Sequence, residues 1–187
     1  IKQSAVATRR CFVVEVMGRY CGYLALMSGI ASGAERVYLN EDGVKLSDLQ
    51  VDLERMREDF SQGKRLSLMI RNEMANQLYT TSFMSSLFEE ESSGLFDVRA
   101  VILGHMQQGG NPSPFDRIQA TRMATRCITF LIDEASKGSS TGTFIGIQGG
   151  HTQFHDLEDM PRMIDAAHAR QKEQWWLDLR PLVALLT

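Results

Sequence analysis

Little in this chain points to a membrane, a disulfide framework or a nucleic acid. No run of about 18 apolar residues occurs, the length a spanning helix needs. The chain opens IKQSAVATRR, without the apolar stretch of a secretory signal. Its three cysteines, Cys11, Cys21 and Cys127, are odd in number and irregular in spacing. None sits in a CxxC or nucleophile-like context, so buried filler in a reducing, cytoplasmic setting is the expectation. Positive charge is scarce as well: 20 Lys and Arg against 23 Asp and Glu leave a net charge of -3. Broad nucleic-acid binding is excluded on that balance, and any anion site must be a local focus of Arg and His.

What is present is a globular composition, 43% apolar and 23% charged over 187 residues. That length buries a sizeable core, and a single domain over 1–187 is expected. Strand and helix signals alternate. Strands are predicted at 12–16, 36–39, 66–70, 98–103 and 144–147, with a short edge at 153–154. Helices are predicted at 23–30 (closed by Gly33), 46–60 (Ser47 near its start, Gly63 at its end), 80–91 and 118–135. A Gly/Ser-rich linker at 138–143 follows, and two last helices are expected from about 161, at 161–170 and 173–186. Such alternation implies βαβ units: an α/β, three-layer, Rossmann-like domain with a mostly parallel sheet.

In sheets of that kind ligands bind beyond the carboxyl ends of the strands. Three polar turns fall there: Met17-Gly18-Arg19, Arg71-Asn72-Glu73 and the loop at 104–117, GHMQQGGNPSPFDR. The glycines and prolines of that loop rule out a core strand or helix interior and suggest a shaped anion cradle, or else a well-capped connection. Arg10, Arg19, Arg71, Arg99 and His105 supply cationic donors suited to phosphate. Arg99 and His105, six apart on an extended strand, would share a face at a distance. Glu73 suits a pair of sugar hydroxyls, and Gly18 permits close backbone approach. The helix starting near Cys21 would aim its first amides at an anion. Together these describe a sugar-phosphate site. The alternatives are surface charges at Arg10 and Arg71 and a solvated or ion-paired carboxylate at Glu73.

The stretches VVEVMGRYCGYLAL (13–26), RNE (71–73) and LGHMQQGGNPSPFDR (103–117) resemble 6-phosphofructokinase, the glycolytic family that phosphorylates fructose 6-phosphate with ATP. The resemblance runs from Arg9 to Leu182. It implies a phosphofructokinase fold and a fructose-phosphate pocket. Met17, Gly18 and Arg19 would line the sugar, Glu73 would take its hydroxyls, and His105, Met106, Gln107 and Gln108 would lie along the phosphate loop. Arg10 and Arg99 would hold phosphate, often reaching in from a partner subunit of a tetramer-type homo-oligomer. Arg170 would add a phosphate contact, at a spacing one residue shorter than the family's. Gly63-Lys64, with Glu35 near it, matches a nucleotide effector position of bacterial relatives; a solvated helix-end lysine is the plainer reading of Lys64.

The same resemblance marks what is missing. The family's GGD-type phosphate loop and its T-I-D-N-D segment, which carries the general base, do not occur. Asp97, Asp116 and Asp133 stand in unlike contexts. No cofactor is therefore expected on this chain; magnesium and ATP would belong to the full-length enzyme, of which this is a fragment inactive alone. Eukaryotic members have a catalytic N-terminal half and an effector-binding C-terminal half. Gln108 in place of Arg, the RNE strand end and KEQWWL at 172–177 resemble the C-terminal half, in which the old substrate pocket binds fructose 2,6-bisphosphate. Arg19 departs from that pattern, so a piece of the catalytic half binding fructose 6-phosphate stays open as the alternative.

Overall fold

A computed structural model describes residues 8–138 and 142–185. They divide into two compact units, residues 8–108 with 174–185, and residues 109–138 with 142–173.

The first unit is built on strand β1 (Arg10–Val16), an apolar, β-branched run buried on both faces. Helix α1 (Tyr23–Ser32) follows and ends on Gly33, whose left-handed φ of 59° closes the helix. Then come β2 (Arg36–Tyr38), α2 (Leu46–Ser61), β3 (Leu66–Asn72), α3 (Thr81–Glu91) and β4 (Asp97–Ile102). The four strands form one all-parallel sheet in the order β2-β3-β1-β4.

Side-chain alternation along β1 divides the core in two. Cys11 and Val13 point to one face, against Leu49, Met56 and Phe60 of α2 and Met84 and Phe88 of α3. Phe12, Val14 and Val16 point to the other, against Ala25 and Leu26 of α1. The C-terminal segment joins that second layer: Trp176, in a 3-10 turn (Trp175–Leu179), and Val183 of helix Arg180–Leu185 are both buried there. The expected three-layer parallel α/β architecture is what the chain adopts. Two local readings shift. α2 is preceded by Lys45, whose amide donates to Asp48 at 3.0 Å, so Ser47 is not its cap. The last helix is shorter than 173–186, because its first part winds as the 3-10 turn.

The second unit begins with α4 (Pro114–Lys137). It starts four residues earlier than the apolar period suggested. Ser113 Oγ accepts the Asp116 amide at 3.2 Å, while Asp116 accepts the Ser113 amide at 2.8 Å. This reciprocal cap, with Pro114 at the first helical position, starts the helix inside what reads as loop.

Strands β5 (Thr143–Gln148) and β6 (His151–Asp156) pair antiparallel through a two-residue Gly149-Gly150 turn with φ of 57° and 79°. The fifth strand therefore does not extend the parallel sheet. Two glycines at positive φ make the tight hairpin the local solution, with no crossover helix between the strands.

The helix expected over 161–170 is also corrected. Only one turn, α5 (Met160–Met163), forms before β7 (Ile164–Asp165) pairs antiparallel with β8 (Arg170–Gln171). Asp165 accepts the Ala167 amide at 3.1 Å and lies 2.7 Å from His168 Nδ1. A side chain that bonds its own backbone competes with helix in this way. Residues 139–141 of the expected linker, and residues 186 and 187, lie outside the described residues.

Candidate functional site

The carboxyl edge of the parallel sheet carries one tightly organised turn, Met17 to Cys21. Gly18 has φ 139°, and a Cβ there would stand 2.4 Å from the Cys21 carbonyl oxygen and 2.9 Å from Asn72 Nδ2. Only glycine fits. Asn72, fully buried at the end of β3, is the clamp beneath it: Nδ2 donates to the Gly18 carbonyl at 2.7 Å and the Cys21 carbonyl at 3.1 Å. Its Oδ1 accepts the Met74 amide at 3.0 Å. One asparagine thus ties the turn after β1 to the turn after β3.

Two further side chains converge on the same turn. Glu73 Oε1 accepts the Gly18 amide at 3.1 Å. Gln107, in a 3-10 turn after β4 (Gly104–Gln107), accepts the Met17 amide through Oε1 at 2.7 Å. The structure therefore brings Met17, Gly18, Glu73 and Gln107 together. Arg19, His105, Met106 and Gln108 are exposed around them. β4 stops at Ile102, so His105 stands in the 3-10 turn and the strand-face relation expected with Arg99 does not apply.

The amides are occupied from within the protein. Besides Met17 and Gly18, the Gly22 amide at the start of α1 donates to both carboxylate oxygens of Glu41, each at 3.1 Å. A carboxylate at a helix N-terminus is favoured by the helix dipole. Of the amides at the start of this helix, that of Gly22 is thus taken by a carboxylate of the chain itself. Arg19 and His105 stand exposed beside these occupied amides.

Arg71 corrects both readings offered for it. It is neither a surface charge nor a phosphate donor but the largest fully buried side chain. Its Nη1 reaches Glu15 Oε2 and the Glu73 carbonyl at 3.0 Å and the Asn72 carbonyl at 3.1 Å. Nη2 donates to the Asn76 carbonyl at 2.5 Å and Nε to the Tyr79 carbonyl at 3.2 Å. Burial pulls its pKa down, and the Glu15 carboxylate opposes that shift. Arg71 fastens the loop at 72–79 to the sheet and so holds Asn72 and Glu73 in place.

Arg10 lies at the opposite, amino-terminal end of the sheet, and Arg99 lies part-way along β4, in register with Phe12. Arg10 opens β1 and its Nε is 3.5 Å from Asp97; Arg99 Nη2 is 3.7 Å from the same carboxylate. Six residues of extended strand separate Arg10 from Val16, about 20 Å. Arg10 is therefore remote from the Gly18 turn within one copy. Arg170, in the second unit, is 4.0 Å from Asp165. Lys64 is ion-paired with Asp59 at 2.9 Å and Glu35 at 3.3 Å, which replaces the solvated-lysine reading. Among the described residues, no cluster of three or more His, Cys, Asp or Glu is placed to hold a metal, and no helix is long and apolar enough to cross a membrane.

An open parallel sheet whose polar turns meet at its carboxyl edge is the α/β architecture in which ligands bind beyond the strand ends. The Phosphofructokinase family profile matches residues 1–131, and the chain belongs to that family. It is 46% identical over 181 residues to an ATP-dependent 6-phosphofructokinase of Dictyostelium discoideum, covering 96% of this chain and 22% of that protein. It is 40% identical over 197 residues to the human muscle-type enzyme, covering all of this chain and 25% of that one. The phosphofructokinase structure from Saccharomyces cerevisiae superimposes with a TM-score of 0.91 at 33% identity, covering 99% of this chain and 26% of that one. The chain thus spans about a quarter of the length of these relatives.

The sequence did not reveal Asn72 as a clamp or Glu41 as the acceptor at α1. Their partners lie about 50 and 19 residues away, and no local pattern announces them.

Proposed function

We propose that this chain is the sugar-phosphate-binding part of an ATP-dependent 6-phosphofructokinase, from the effector-binding half, and that its ligand is fructose 2,6-bisphosphate. The carrying observation is the Gly18 turn, clamped by Asn72 and bordered by Glu73 and Gln107, in a chain 40–46% identical to such enzymes. A rigid glycine turn lets a sugar approach the backbone, Glu73 keeps one carboxylate oxygen for hydroxyls, and Arg19 and His105 stand exposed for phosphate. Gln108, neutral where the catalytic half carries Arg, favours the regulatory ligand.

Arg10 and Arg99 fit this reading as donors to the site of a neighbouring copy, since Arg10 stands at the far end of its own sheet and Arg99 lies near it beside Asp97. A homo-oligomer then completes each pocket. ATP and magnesium act elsewhere in the parent enzyme, and the chain alone transfers no phosphoryl group. A reducing, cytoplasmic setting is supported by three free cysteines, of which Cys11 is wholly buried, its thiol pushed up to about 12 by that burial.

The alternative, a fructose 6-phosphate site of the catalytic half, is favoured by Arg19. Titration calorimetry on the assembled oligomer separates the two. Fructose 2,6-bisphosphate should bind more tightly than fructose 6-phosphate, and Arg99→Ala should weaken it by about 1.5–3 kcal/mol. Preference for the monophosphate would sink the regulatory reading, and an unchanged affinity in Arg99→Ala would remove Arg99 from the site.

A further inference from the structure

The second unit holds a groove that the fructose-phosphate reading does not use. It lies between α4 and β6, has a volume of about 720 Å³, and is lined by Arg117, Ile118, Thr121, Arg122, Thr125, Arg126, His151 and Thr152. Three arginines and no carboxylate are among its lining residues, in a chain whose net charge is -3. Such a local surplus of one sign makes the potential along this face favourable to anions.

The bonding pattern shows which groups remain available. Thr121 and Thr125 spend their hydroxyl protons inside the helix, on the Arg117 and Thr121 carbonyls at 2.8 and 2.9 Å. Arg122 gives one nitrogen to Gln119 at 3.2 Å and keeps its other donors. Arg117, Arg122 and Arg126 are all exposed, and among the described residues none makes an ion pair with a carboxylate. Arg122 and Arg126 are one helical turn apart, a rise of about 6 Å, and about 40° apart around the axis, whereas Arg117, nine residues before Arg126, leaves the helix on the side opposite Arg126 and stands at the groove's rim. Two forks one turn apart suit two adjacent phosphoryl groups, each taken bidentately. His151 stands across the groove at the start of β6, and Ile118 gives it an apolar patch.

We propose that this groove binds a small ligand bearing a diphosphate, clamped by Arg122 and Arg126, with His151 facing them across the groove. The site is separate from the Gly18 turn, whose residues belong to the other unit.

The test is titration of the chain with pyrophosphate and, in parallel, with inorganic phosphate at low ionic strength. Pyrophosphate should bind at least tenfold more tightly, and Arg122→Ala with Arg126→Ala should weaken it by a further tenfold or more, with helicity unchanged. Arg19→Ala should leave it unaltered. On the unmodified chain, hydrogen exchange with pyrophosphate present should slow within 117–126 and 151–152, a readout that does not depend on any variant. Equal binding of phosphate and pyrophosphate, indifference to the double substitution, loss shared with Arg19→Ala, or protection elsewhere would each overturn the proposal. Failure of the fructose 2,6-bisphosphate titration would leave it untouched.

Discussion

Replacing Arg71 by alanine should cost the first unit about 3–5 kcal/mol, the usual consequence of removing one partner from a buried ion pair. The magnitude follows from what is left behind. Glu15 would retain only its hydrogen bond from Thr81, and the carbonyls of Asn72, Glu73, Asn76 and Tyr79 would lose a charged donor in a site with 1% exposure. Both tryptophans lie in the 174–187 segment of that unit, so urea unfolding followed by their fluorescence reports its stability. With a slope of about 2 kcal/mol/M, the midpoint should fall by about 2 M. Arg71→Lys should recover only the Glu15 pairing, because an ammonium lacks the fork that reaches several carbonyls. If Arg71→Ala instead falls within about 0.5 kcal/mol of the unaltered chain, as surface substitutions do, the structural role assigned here is refuted.

Two further outcomes are expected. Gly18→Ala should destabilise the first unit by about 1–3 kcal/mol from backbone strain alone, and more if the Asn72 clamp is displaced, read as a lower melting temperature; an unchanged melting temperature would mean the turn tolerates a side chain. Tyr38 has its pKa raised well above the ordinary 10.0 by burial, with the nearby Asp52 carboxylate adding to the shift. A group raised in the folded state stabilises fully below the unfolded value, so stability should hold to about pH 10 and fall as pH rises beyond it, and Tyr38→Phe should flatten that alkaline loss.

The layered fold was legible because it rests on local periodicity. Residues 11–16 alternate between two buried faces, the α1 and α2 patterns repeat at helical spacing, and Gly33 stops α1 where the pattern ends. Gly18 was legible too, as a glycine between a strand and a helix. The hairpin at 143–156 and the break at 164–171 were not read correctly, because turn chemistry at Gly149-Gly150 and Asp165 outweighed the longer pattern.

The residue types of the candidate site came from the sequence alone, but their roles came only from tertiary structure. Arginine 71 has the same composition value as arginine 19, yet one is sealed in the core by Glu15 and four carbonyls and the other is exposed. Arg10 and Arg99 carry the charge a phosphate needs, but Arg10 stands at the far end of the sheet and Arg99 part-way along β4, both near Asp97. Periodicity specifies which face of an element is buried. It does not specify which distant backbone group a polar side chain will meet, because those partners are joined only when β1, β3 and the turn after β4 come together at one edge.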